Sequence, residues 1–299
     1  MTCPWRSFLG VICALGVIFA VYRPVLKADF VQWDDDVHLY NNLSVQTLDR
    51  EHLKDIFRTT VNKIYIPLTS LSFALEYHFV RLNPFVYHLD NLLLHLLVCL
   101  GVFWLGRRMG LSVWGALAAM LLFGLHPMRV ESVAWVTERK DVLYAFFYLA
   151  ALLSYTRHLQ RPSFVWMGVT TGLGVLGMLA KPMALSLPLI LWLMDWFGRR
   201  QPSRRLFWEK VPLGLCLAAL AWISYQNHMR LPAADLARAG ALWAWSFAFY
   251  LRQFVFPVVL LPIYHPPKPI SPLGYEYVLS LAILAMVAVS LWRFRKNRW

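Results

Sequence analysis

Residues Asp29–Asn42 read DFVQWDDDVHLYNN, a polar stretch that follows directly on the first apolar run of the chain. Asp34, Asp35 and Asp36 stand consecutively between Trp33 and His38. Three adjacent like charges near a low-dielectric surface are costly unless cations, donors or a substrate answer them. From the residues alone the stretch is either a solvated acidic loop or a site. Its surroundings fix the class of fold. Hydrophobic residues make up 59% of the 299 and charged residues 15%, with mean hydropathy +0.51. Soluble domains carry about a quarter charged residues, so this is a membrane composition in which polar stretches are the connections between apolar helices.

The formal net charge of +13 does not indicate nucleic acid, because the basic residues fall in short clusters between apolar runs. Arg107-Arg108, Arg157 with Arg161, Arg199-Arg200 with Arg204-Arg205, and the tail from Arg293 to Arg298 read as cytoplasmic topology signals. Cys3, Cys13, Cys99 and Cys216 lack metal-site spacing and form no disulfide framework. Phe8 to Val21 is an anchoring span rather than a cleaved signal, since no small-residue cleavage site follows it.

A span needs roughly 20 residues to cross about 30 Å of hydrocarbon. The pattern predicts eight, at about 7–22, 87–105, 111–125, 142–155, 164–180, 183–197, 211–225 and 277–292. Both termini are then cytoplasmic. The fold class expected is an all-α polytopic bundle, a single transmembrane domain over 1–299, with amphipathic helices in its outer loops. The first outer loop covers 23–80. In it Leu48, Leu53, Ile56 and Phe57 form an amphipathic surface helix, and 67–80 is an interfacial helix because Glu76 would be costly inside a span. A second outer segment occupies 126–141. The stretch 226–272 is an outer or re-entrant helical segment, since counting it as a span would put the basic tail outside.

This topology gathers Asp34, Asp35, Asp36, His38, His126, Glu131, Glu138, Arg139, Lys140, Asp141, Lys181, His228, Arg252 and His265 at or near one membrane face. A partly desolvated carboxylate there can serve as a general base, and Arg or Lys suits a phosphate. Plainer readings compete. His88, Asn91 and His95 share a helix face and can simply bond to other helices. Glu131, Trp135 and Arg139, spaced by four, allow a salt bridge between distant turns of one helix or with Glu138 and Lys140 nearby. Most Trp and Tyr residues are interfacial anchors, with Trp33 the candidate for substrate contact.

Four motifs in order, FVQWDDDVHLYNN, IPLTSLSFALEYHFVRLNPFVYHLDNLLLHLL, LHPMRVESVAWVTERKDVLYAFF and LAKPMALSLPLILWLMD, resemble the membrane half of bacterial tetratricopeptide-type membrane proteins. Those are similar to the transmembrane and tetratricopeptide protein O-mannosyltransferases of the GT-C glycosyltransferase superfamily. The resemblance runs through most of Phe30 to Asp195 and implies a GT-C-like bundle. It implies transfer of a mannose-like hexose from a polyprenyl-phosphate sugar to a hydroxyl acceptor, protein or glycan, at the outer face of a bacterial inner membrane. The acidic pair after the first span would supply the base, Asp34 or Asp35. Glu131 in the second segment joins the catalytic candidates. Arg139, Lys140, Asp141, Lys181 and Arg252 would bind donor and acceptor, with Trp33, Asp36, His38 and His126 beside them. No cofactor is implied, and a divalent metal at the triple aspartate lacks support from spacing. The repeats that follow in the family have no counterpart in this sequence, so a separate repeat protein or other membrane subunits are expected partners. A non-catalytic assembly subunit is the alternative function, and a lipid-linked-sugar flippase a third.

Overall fold

The computed structural model describes residues 4–227, 236–261 and 263–294, and its described residues are helical without a β-strand beyond one isolated bridge. His228, Cys3 and the basic tail beyond Phe294 lie outside them. The chain, read from sequence as one domain, divides into two compact units, Met1–His228 and Met229–Trp299.

The first unit opens with α1 (Pro4–Tyr22), then α2 (Leu43–Gln46), α3 (Arg50–Arg58) and α4 (Pro67–Val80). The long helices follow as α5 (Pro84–Arg108), α6 (Val113–Gly124), the short α7 (Val130–Ala134), α8 (Arg139–Gln160), α9 (Phe164–Ala180), α10 (Leu187–Phe197), α11 (Arg204–Trp208) and α12 (Val211–Asn227). The boundaries follow local chemistry. Prolines at the first turns of α4 and α5 occupy positions where a missing N–H is harmless. Asp49 caps α3 by accepting from the Glu51 and His52 amides, and Ser112 and Ser163 cap α6 and α9. Gly110, at φ +97°, takes the left-handed turn that ends α5.

Among the described residues three segments are long and apolar enough to cross a membrane: Ser7–Lys27, Pro84–Arg108 and Arg204–Gln226. Val113–Gly124 and Pro127–Ala134, bent by 58°, make a fourth if the two are one broken span. The protein is thus a helical membrane protein. Each of the eight expected spans falls on helical residues, but Phe164–Ala180, Pro182–Phe197 and Tyr275–Ser290 are shorter apolar helices, and α8 carries Arg139, Lys140 and Asp141 in its first turn and Arg157 and His158 in its last.

Two apolar clusters hold the unit. One joins Ile18 of α1, Cys99 and Phe103 of α5 and Met120 of α6; the other joins Tyr155 of α8, Met178 of α9, Leu187 and Leu191 of α10 and Leu217 of α12. A third, around Leu39, Phe73 and Tyr87, sits beneath the first loop. Helices α5 and α8 run in the same direction. Their N-terminal ends meet where Arg139 donates to the Tyr87 carbonyl at 2.8 Å, and their C-terminal ends where Arg108 donates to the Gln160 side chain at 3.0 Å.

The second unit pairs α13 (Leu236–Val255) with α14 (Tyr275–Phe294). A non-helical connection between them is held by Gln253 donating to the Val259 carbonyl at 2.6 Å and by Tyr277 donating to the Pro267 carbonyl at 2.7 Å.

Candidate functional site

The acidic stretch does not behave as three equivalent carboxylates. Asp35 is completely buried. Its Oδ2 accepts from the Val31 amide at 2.8 Å, and its Oδ1 accepts from the Thr137 amide at 3.0 Å and from the Thr137 hydroxyl. A carboxylate holding three donors is well satisfied without any cation. Asp35 therefore latches the first loop to the second polar segment, 102 residues further on. Its neighbour Asp34 remains half-buried and accepts from the Asn62 amide group at 2.8 Å. Asn62 and Lys63, both with positive φ (48° and 64°), form the tight turn closed by the Val61–Ile64 bridge that brings this amide to Asp34.

Around the latch, Trp33 is half exposed and packs against Trp135 with ring centroids 5.7 Å apart. His38 is buried. Burial, reinforced by the nearby Lys140 charge, pushes its imidazole down to about 4, so it is neutral at physiological pH. Asp36 leaves one carboxylate oxygen buried without a partner among the described residues. His126 caps the turn ahead of α7, its Nδ1 accepting from the Met128 amide at 3.2 Å.

The second segment is not one helix. Trp135 is extended, at ψ 120°, so α7 stops before it, and a short turn, Val136–Glu138, precedes α8. The break undoes the salt bridge that a spacing of four suggested between Glu131 and Arg139. Glu131 stays exposed. Arg139, only 2% exposed, turns inward instead. Its guanidinium pairs with Glu76 of α4, donates to Asn91 Oδ1 and to the Tyr87 carbonyl at 2.8 Å each, and lies over the Phe73 ring at 4.7 Å. This also bears on how α4 accommodates Glu76 in its buried face: one carboxylate oxygen meets the Arg139 guanidinium, while the other has no partner among the described residues. Asn91 completes the arrangement by donating to the Trp135 carbonyl at 3.2 Å. Asn91 and His95 thus have the structural roles the plainer reading gave them, since His95 bonds the Gly124 carbonyl at 3.0 Å. His88 is buried with neither ring nitrogen bonded to a described residue.

Lys140 pairs with Glu138 at 2.5 Å. Lys181, just past α9, pairs with Asp141 and lies 3.8 Å from Glu138. Asp141 also accepts from the Ser132 hydroxyl at 3.0 Å. The structure therefore brings Glu138, Lys140, Asp141 and Lys181 together, with Glu131 on the neighbouring short helix. Arg252 is exposed in α13 of the second unit, its guanidinium over the Phe249 ring at 5.3 Å.

Sequence reasoning missed three residues here. Thr137 and Asn62, the partners of Asp35 and Asp34, carry no local signal. Arg129, in the turn before α7, lies over the Phe123 ring at 5.6 Å, and its guanidinium makes no hydrogen bond or ion pair among the described residues. The basic residue in PMRVES was visible, but not its freedom from partners. Among the described residues no group of three His, Cys, Asp or Glu is arranged to hold a metal ion.

An all-helical membrane protein with a latched acidic loop and a mixed-charge cluster at one end of its bundle finds its likeness among named transferases. The chain is 30% identical over 232 residues to Protein O-mannosyl-transferase Tmtc1 of Drosophila melanogaster, covering 75% of this chain and 26% of that protein. It is 33% identical over 276 residues to Protein O-mannosyl-transferase Tmtc2 of the same species, covering 84% and 29%. The human Protein O-mannosyl-transferase TMTC3 is 35% identical over 153 residues, 48% of this chain and 16% of its own length. The chain spans less than a third of each of these relatives. No protein-family model and no solved structure matches it.

Proposed function

We propose that this chain is a membrane-embedded O-mannosyltransferase region of the GT-C type, with eight spans and both termini cytoplasmic in a bacterial inner membrane. It transfers mannose from a polyprenyl-phosphate donor to a hydroxyl of an acceptor protein on the outer face. The names of its relatives support the reaction class. The observation that carries the reading is the division of labour in the acidic loop, where Asp35 is consumed as a latch and Asp34 is left accessible beside it.

Asp34 then takes the proton of the acceptor hydroxyl. The freed oxygen attacks the anomeric carbon as the bond from that carbon to the phosphate oxygen breaks, and the phosphate leaves on the polyprenyl chain. A single displacement of this kind inverts the anomeric configuration. Arg129, whose guanidinium is uncommitted, suits the departing phosphate. Lys181 lies close enough to Asp141 and Glu138 to exchange those partners for a phosphate oxygen. Arg139 is a positioning residue in this scheme, because its donors are spent on Glu76, Asn91 and Tyr87.

Transfer from radiolabelled polyprenyl-phosphate mannose, measured in membranes carrying the protein, tests the assignment. D34N is expected to lose about 10²-fold or more in rate while keeping the wild-type melting temperature, and D35N to lose activity and stability together. Retained transfer in D34N would remove Asp34 as the base. One observation favours a second reading, a non-catalytic assembly subunit: Arg139, Lys140 and Lys181 are all paired internally with carboxylates. Wild-type protein without transfer, co-purifying in fixed ratio with other membrane proteins, would establish that alternative.

A further inference from the structure

At the end of the first unit remote from the acidic loop, a cleft of about 450 Å³ opens where the end of α8, the start of α9 and the α11–α12 junction meet. Its walls are apolar along one side, with Phe164, Met167, Pro212 and the bare backbone of Gly168, and Trp208 lies at its mouth. Phe164 is 94% exposed, so the cleft faces outward from the bundle. Its other side is charged. Glu209 is held by Arg200 at 3.2 Å, by His158 at 3.4 Å and by Arg205 at 3.3 Å through Nε. The two terminal nitrogens of Arg205 have no partner among the described residues, and its side chain is 76% exposed.

The charge balance at this end is lopsided. Between Arg199 and Lys210 five cationic residues stand against one carboxylate, Glu209. Buried Asp195 answers Arg200 at 3.0 Å and Lys210 at 2.5 Å, and the excess remains positive. An occupant must therefore carry negative charge at one end and an apolar body along the rest. A soluble anion would leave the Phe164 and Met167 wall bare, and a neutral lipid would leave Arg205 unanswered. We propose that this cleft binds an anionic phospholipid, its phosphate on the Arg205 guanidinium and an acyl chain along the α9 wall past Gly168. Basic pockets between membrane helices have the chemistry to recognise such headgroups, and the site does not depend on the transferase reading.

Native mass spectrometry of the full chain in detergent, supplied with equal phosphatidylglycerol and phosphatidylcholine, tests this. Wild type is expected to retain phosphatidylglycerol about fivefold over phosphatidylcholine, the equivalent of about 1 kcal/mol for one basic contact. R205Q should bring the two lipids to parity. G168L should lower retention of both, and because a Cβ at Gly168 meets no atom within 4 Å this variant should melt no lower than wild type. R58Q, changing an exposed arginine of α3, should have no effect. Equal retention by wild type, wild-type retention in G168L, or displacement of phosphatidylglycerol by millimolar inorganic phosphate would each overturn the proposal.

Discussion

Arg139 shows how much a single side chain decides in this molecule. Read in sequence, it belongs to a TERKD run of mixed charges and suits a phosphate. In the structure it is the bolt between α4, α5 and α8, because one guanidinium bonds Glu76, Asn91 and the Tyr87 carbonyl at once. Removing one partner of a buried pair leaves the other charge uncompensated, at a cost of about 3–5 kcal/mol. R139A is therefore expected to lower stability by about that amount, followed by thermal unfolding of the purified protein in detergent. The double change E76Q/R139Q should be milder than R139A, since it removes the stranded carboxylate. A binding role for Arg139 would show the opposite pattern, a weakened donor affinity with stability intact. The same argument separates Asp34 from Asp35, which no property of the two residues distinguishes: only the presence of Thr137 above one and Asn62 beside the other does.

Between elements, glycine positions report how closely the helices approach. A Cβ on Gly124, at the end of α6, would come 2.6 Å from Ile18 Cδ1 of α1 and 2.9 Å from the Cys99 sulfur of α5. A side chain there has to displace the buried Ile18 methyl and the Cys99 sulfur. G124V should thus destabilise by about 1–3 kcal/mol through overpacking. By contrast, a Cβ on Gly214 of α12 meets nothing within 4 Å, so G214A should stabilise by up to about 1 kcal/mol through helix propensity. Melting temperatures of the two variants, moving in opposite directions, check the α1–α5–α6 packing. The element-level errors of sequence reading also have a physical source here. The extended Trp135 breaks the second segment because the Trp135 and Val136 carbonyls are taken by Asn91, a constraint that lies on another helix and leaves no mark in the local periodicity.

Across the whole molecule, the polarity of the two ends of the first unit is the consequential feature. One end holds the latched acidic loop and most of the carboxylates; the other holds the arginine clusters around Asp195 and Glu209. The positive-inside tendency supports the proposed orientation, with the arginine end cytoplasmic. In a background with the native cysteines replaced, a membrane-impermeant maleimide should label K54C in intact cells, and should label R161C only after permeabilisation. Labelling of both from one side would refute the proposed orientation and with it the outer placement of the transfer site.

The sequence by itself determined the helical class, because apolar runs of near-membrane length leave few other ways to satisfy the backbone. It marked several helix ends, at the prolines that open α4 and α5, the capping residues Asp49, Ser112 and Ser163 and the glycine after α5, since these act over one turn. It also marked the segments on which the candidate site stands, through the acidic triplet and the ERKD run. Tertiary structure alone decided which aspartate is a latch and which is open, which cations are spent, and that Arg129 is not. The aspartate assignments and the Arg139 pairing depend on hydrogen bonds and ion pairs between residues 28 to 102 positions apart. At such separations neither spacing nor composition carries the information, and only the packing of α4, α5 and α8 brings the partners together.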